Sequence, residues 1–133
     1  MQYSAVVKNL LKFDESGKSK NASYVTTGLW GKQSITEAKK MFPEDSPPIE
    51  VATGIKSNYR EISDPATWTI DKDTSYIHYC QNETVHGFQF GDEENNQFPH
   101  KAVEGMAVVC DMSSDIGSRK LDFKNFGMIY AGA

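Results

Sequence analysis

Cysteine is scarce in this chain. Two of its 133 residues, Cys80 and Cys110, are all there is. That excludes a multi-disulfide scaffold, and both thiols sit in apolar runs where a buried, reduced cysteine is expected. The three histidines, His78, His86 and His100, form no metal-ligand spacing with them. Basic charge is not in excess. Fourteen Lys and Arg face eighteen Asp and Glu, a net charge of -4, so no basic face for nucleic acid is expected. No apolar run approaches the ~20 residues of a membrane helix, and no membrane partner is expected. Met1-Gln2-Tyr3-Ser4 carries neither the basic nor the apolar region of a signal peptide, which predicts a cytoplasmic protein. There is no GxGxxG and no Walker loop, so nucleotide binding has no support. Nothing supplies the nucleophile and orienting acid of a triad.

What is present is an ordinary globular composition, 38% hydrophobic and 24% charged. Val6, Val7, Leu10 and Leu11 predict a helix over 2–11. Residues 12–21 are polar around Gly17 and read as a loop. Strands are expected at 23–27, 49–52, 75–81, 107–112 and 128–133. Ser34 followed by Glu37 reads as a capping box that opens a helix over 34–42. A turn and short helix are expected within 58–69, and an acidic surface loop over 91–100. Several strands are continuous apolar runs, which favours a mostly parallel sheet buried on both faces, in an α/β fold. The helices are too few to cover both faces. The whole of 1–133 therefore reads as one segment of a larger domain, truncated at both ends.

Two strand ends carry chemistry. The run at 76–80 stops at Asn82-Glu83-Thr84, and the run at 107–110 stops at Asp111. Ligands of open α/β sheets bind beyond such carboxyl ends. Asp111 either meets a cationic ligand group, such as a protonated pyridine nitrogen, or bonds the amides of Ser113 or Ser114 in an Asx turn. Trp30 either stacks on a planar cofactor or covers the edge of the core. Thr84 either donates to a cofactor oxygen or caps the segment after it. His78 reads as packed and hydrogen-bonded, His86 as a residue that orients a neighbour, and His100 as solvent-exposed.

Several motifs together resemble the phosphoserine aminotransferase family, class-V, fold-type I enzymes that use pyridoxal phosphate. The stretch YVTTGLW at 24–30 is similar to the family's run ending in the ring-stacking tryptophan. The AKK of residues 38–40, the DPATW of 64–68, the NETVHG of 82–87 and the CDMSS of 110–114 follow in register. The resemblance spans nearly the whole chain and is looser at 12–20, 43–57 and 91–101.

The resemblance implies the pyridoxal 5′-phosphate transferase large domain. It implies transamination between glutamate and 3-phosphohydroxypyruvate (the pair phosphoserine and 2-oxoglutarate in reverse), in L-serine biosynthesis, by a homodimer. It assigns Trp30 to the ring face, Thr84 to the polar edge of the cofactor and Asp111 to the pyridine nitrogen. The Schiff-base lysine would fall just beyond Ala133, and neither Lys120 nor Lys124 matches it. No catalytic residue is therefore expected within the chain, which alone would be inactive. The competing expectations are a truncated, catalytically inactive product and a cofactor- or partner-binding module.

Overall fold

The computed structural model describes residues 2–91 and 97–132. Helix α1 (Gln2–Leu10) leads into strand β1 (Ser23–Thr26), helix α2 (Leu29–Lys39) and strand β2 (Ile49–Thr53). Strand β3 (Ile77–Cys80), a small hairpin of β4 (Asn82–Glu83) and β5 (Phe88–Gln89), strand β6 (Val108–Asp111) and strand β7 (Met128–Tyr130) complete the order. The main sheet runs β2-β1-β3-β6-β7, with every adjacent pair parallel. All five expected strands are present, within a few residues of their predicted ends. The loop expected over 91–100 lies partly, at 92–96, outside the described residues.

Alternate residues of the strands feed two separate cores. Val25, Ile77, Tyr79, Val108 and Cys110 face one side. Tyr24, Tyr76 and Val109 face the other, against Val6 and Val7 of α1 and Ile35 and Ala38 of α2. This two-sided burial is why these strands read as continuous apolar runs. The expectation that too few helices leave a face bare is corrected. The face away from the helices is covered by Phe88 of β5, by Val103 of a short 3-10 turn, and by irregular chain carrying Phe90, Phe98 and Met112. Phe98 stacks on Tyr79 with ring centroids 3.8 Å apart. His100, expected in solvent, is half-buried against the rings of Phe98 and Phe126.

The expected start of α2 is also corrected. The helix opens at Leu29, and Ser34 is a buried interior residue whose hydroxyl donates to the Gly31 carbonyl at 2.7 Å. The residue at the cap position is Gly28, which has no side chain to offer.

The chain moves from β1 to β2 on one side and then returns to β3 on the other. The sheet order therefore reverses between β1 and β3. In open parallel sheets the crevice outside the carboxyl ends at such a reversal is where ligands bind.

Candidate functional site

Trp30 follows β1, and Asn82 and Thr84 follow β3, on the two sides of that crevice. Asp111 ends β6 and pairs in register with Cys80 at the end of β3. The cleft between them has a volume of about 630 Å³, and Trp30, Thr84 and Asp111 all line it, with Tyr3, Asn82 and Ser113 among the rest. The three residues singled out from sequence thus meet in one place.

Their local contacts are specific. The Trp30 indole Nε1–H donates to Thr84 Oγ1 at 3.0 Å. Trp30 is 37% exposed and lines the cleft. Asp111 Oδ1 accepts from the Ser113 amide at 2.9 Å and the Ser113 hydroxyl at 2.6 Å. The Asx turn that competed with a ligand role is therefore real, and it occupies one carboxylate oxygen. The Ser114 hydroxyl donates to the Asn82 carbonyl and accepts from Asn82 Nδ2, both at 3.0 Å, which ties the two strand ends together.

Behind Asp111 lies a buried polar chain. Burial, followed by the charge of Asp111 and a hydrogen bond to it, pushes the Tyr130 phenol up. The Tyr130 hydroxyl lies 2.8 Å from His78 Nε2. His78 Nδ1 lies 3.3 Å from Ser34 Oγ. Burial holds the His78 imidazole down, at about 4, so it is neutral at pH 7. The proton in the Tyr130 contact comes from the phenol or from Nε2 according to the ring tautomer. His78 is thus the packed, hydrogen-bonded residue expected from its strand interior.

Burial pushes the thiols of Cys80 and Cys110 up, so neither is a thiolate near neutral pH. Tyr3, on the helix side of the cleft, is pushed up to about 12 by burial and then by Asp111. No group of three or more His, Cys, Asp or Glu among the described residues forms a metal site.

Sequence reasoning assigned no role to Glu83. Its side chain is fully buried, and its two oxygens accept the Trp30 and Gly31 amides at 2.8 and 2.7 Å. His86 Nδ1 accepts the Leu29 amide at 3.1 Å and so orients a neighbour, as expected. A signal for Glu83 was present in the spacing Gly28-Leu29-Trp30-Gly31, because both glycines stand against its carboxylate. A Cβ on Gly28 would lie 2.6 Å from Glu83 Cδ, and one on Gly31 would lie 3.1 Å from Glu83 Oε1.

Residues 3–133 match the family model described as Aminotransferase class-V. The chain belongs to the class-V aminotransferase family. Among curated relatives of this family it is similar to a phosphoserine aminotransferase of Shewanella halifaxensis (strain HAW-EB4). The identity is 41% over an alignment of 133 positions that covers 99% of this chain and 33% of that protein. Among solved structures it resembles the phosphoserine aminotransferase from Bacillus circulans subsp. alkalophilus, with a TM-score of 0.80 and 32% identity over 98% of this chain and 32% of that one. It also resembles the phosphoserine aminotransferase from Trichomonas vaginalis, described as PLP-bound, with a TM-score of 0.79 and 30% identity over 98% of this chain and 32% of that one. The chain spans about a third of the length of the relatives it matches. Its parallel five-stranded sheet matches the large domain of these class-V enzymes.

Proposed function

We propose that the cleft binds pyridoxal 5′-phosphate and that the protein serves the phosphoserine aminotransferase reaction, transamination between glutamate and 3-phosphohydroxypyruvate in serine biosynthesis. One observation carries this reading. An aromatic face, a hydroxyl and a buried carboxylate converge in one cleft where the sheet order reverses. That donor set fits a flat pyridine ring with a polar edge and a basic nitrogen.

When bound, the protonated ring supplies an electron sink for the charge left as the substrate Cα loses its proton. Asp111 would hold the proton on the ring nitrogen. Ser113 fixes one of its oxygens, and the Tyr130–His78 pair braces it from behind. Trp30 would pack on the ring face, an arrangement favoured by the quadrupoles of the two rings. Thr84 accepts the indole N–H and keeps its own hydroxyl proton to donate to the polar edge of the ring.

Among the described residues, none that lines the cleft is a lysine or arginine. Lys120 and Lys124 line other, separate pockets. The amine that reacts and the cations that would bind substrate phosphate and carboxylate are therefore assigned outside the described residues. The 133-residue chain alone is proposed to hold the ring environment without turning substrate over. The family resemblance further supports a cytoplasmic homodimer.

The test is a fluorescence titration of the 133-residue chain with pyridoxal phosphate. Trp30 and Trp68 are its two tryptophans. A Trp68→Phe chain should quench saturably, and a Trp30→Phe chain should not. Equal quenching of both tryptophans, or none of Trp30, would contradict the assignment. Full transaminase turnover by the chain alone would contradict the proposed division of labour.

A further inference from the structure

We infer that Glu83 is a positioning residue for Trp30: its carboxylate takes the place of the missing local cap on α2 and so sets where the indole stands in the cleft. The functional meaning rests on the cofactor reading above, but the support lies in contacts within the chain itself.

The first amides of a helix need partners from outside the helix. At α2 the residue in the cap position is Gly28, with no side-chain hydrogen bond. The β4–β5 hairpin supplies the partners instead. His86 Nδ1 takes the Leu29 amide, and the two Glu83 oxygens take those of Trp30 and Gly31. A buried carboxylate is costly by itself. Here two charge-assisted hydrogen bonds and the positive end of the helix offset that cost. Both oxygens act as acceptors, as an ionised carboxylate requires. Burial nevertheless outweighs the two amides and His86, and the pKa of Glu83 is raised.

Two further features tie this cap to the tryptophan. Glycines occupy positions 28 and 31, where a Cβ would crowd Glu83 at 2.6 and 3.1 Å. The helix start is thus shaped around the carboxylate. Thr84, the next residue along the hairpin, receives the Trp30 indole N–H at 3.0 Å. Two consecutive residues therefore grip one tryptophan, Glu83 by its backbone and Thr84 by its side chain. Without Glu83 the first turn of α2 would lose two amide partners, and the indole would lose its fixed origin.

The experiment uses the 15N-labelled 133-residue chain carrying Trp68→Phe, which leaves a single indole resonance, that of Trp30. Without ligand, this resonance should be shifted from that of a free indole and slow to exchange with solvent. Adding Glu83→Ala should speed its exchange by about tenfold or more, the scale of a lost helix cap. Glu83→Gln, which keeps one acceptor at the same reach, should fall between. Gly28→Ala retains Glu83 and displaces its carboxylate, so it should disturb the indole in the same direction. It also decides the matter if Glu83→Ala loses its helical circular dichroism. A Trp30 resonance unchanged in folded Gly28→Ala and Glu83→Ala would overturn the proposal. So would a free-indole resonance in the chain with Glu83 intact. Pyridoxal phosphate quenching provides the second arm, with affinity expected to fall about tenfold in Glu83→Ala. If the unmutated chain shows no quenching at all, the cofactor reading fails, and the ligand-free resonance still decides the role of Glu83.

Discussion

Acidification should destabilise this protein through His78 in a way that one substitution removes. The ring is fully buried between Ser34 and Tyr130, and burial holds its pKa at about 4 against 6.5 for a free histidine. The folded state therefore resists a proton that the unfolded state accepts. Stability from this residue is complete above pH 6.5 and is lost as pH falls from 6.5 toward 4. The loss is on the order of 1 kcal/mol at pH 5.5 and about 2 kcal/mol at pH 4.5, approaching a limit of about 3 kcal/mol. Other groups titrate in the same window. His100 is also lowered by burial and acts in the same direction. Glu83 is raised, so its burial penalty is relieved on acidification, the opposite direction. Both remain when His78 is replaced. The discriminating quantity is thus the difference between the original chain and His78→Asn, measured by urea denaturation at pH 7.5, 6.5, 5.5 and 4.5. The variant should be less stable at pH 7.5 because it loses packing and the bond to Tyr130, and its pH dependence should be flatter by about 2 kcal/mol down to pH 4.5. Parallel curves for the two proteins would refute the claim that His78 is buried neutral.

Three other outcomes follow from the same contacts. Gly31→Ala should cost about 1–3 kcal/mol by overpacking, because its Cβ would meet Glu83 Oε1, Thr26 Cα and the Val25 carbonyl within 3.3 Å; the urea midpoint reports it. Phe98→Ala should cost about 3–5 kcal/mol by thermal or urea unfolding, since Phe98 is buried and stacked on Tyr79 in the face that lacks helices. Asp111→Asn should weaken pyridoxal phosphate binding by at least about tenfold, as expected for loss of a charged hydrogen bond, while leaving the ligand-free Trp30 emission unchanged.

The sheet was legible because two-sided burial writes itself into sequence. Val25, Ile77, Val108 and their neighbours are apolar on both faces, so each strand is a short unbroken run. The convergence of three residues was legible for a related reason. Trp30 and Thr84 follow strands and Asp111 ends one, and parallel strands bring all such ends to one rim. The start of α2 was not legible. Ser34 and Glu37 satisfy a local capping rule, but the real cap is Glu83, 52 residues beyond Gly31. Tertiary partners leave no periodicity near the helix they cap. The β4–β5 hairpin escaped notice because strands of two residues are too short to alternate. His100 follows a proline in a polar stretch, and only the fold brings the rings of Phe98 and Phe126 around it.

The central claim is that Trp30, Thr84 and Asp111 form one pyridine-ring site. It is tested most directly by pyridoxal phosphate labelled with 15N at the ring nitrogen, added to the 133-residue chain and followed by NMR as pH is raised. The account predicts that the bound nitrogen stays protonated above the pH at which the free compound loses its ring proton, and that Asp111→Asn abolishes this retention. A bound nitrogen that titrates like the free compound, or one whose protonation is indifferent to Asp111, would contradict it.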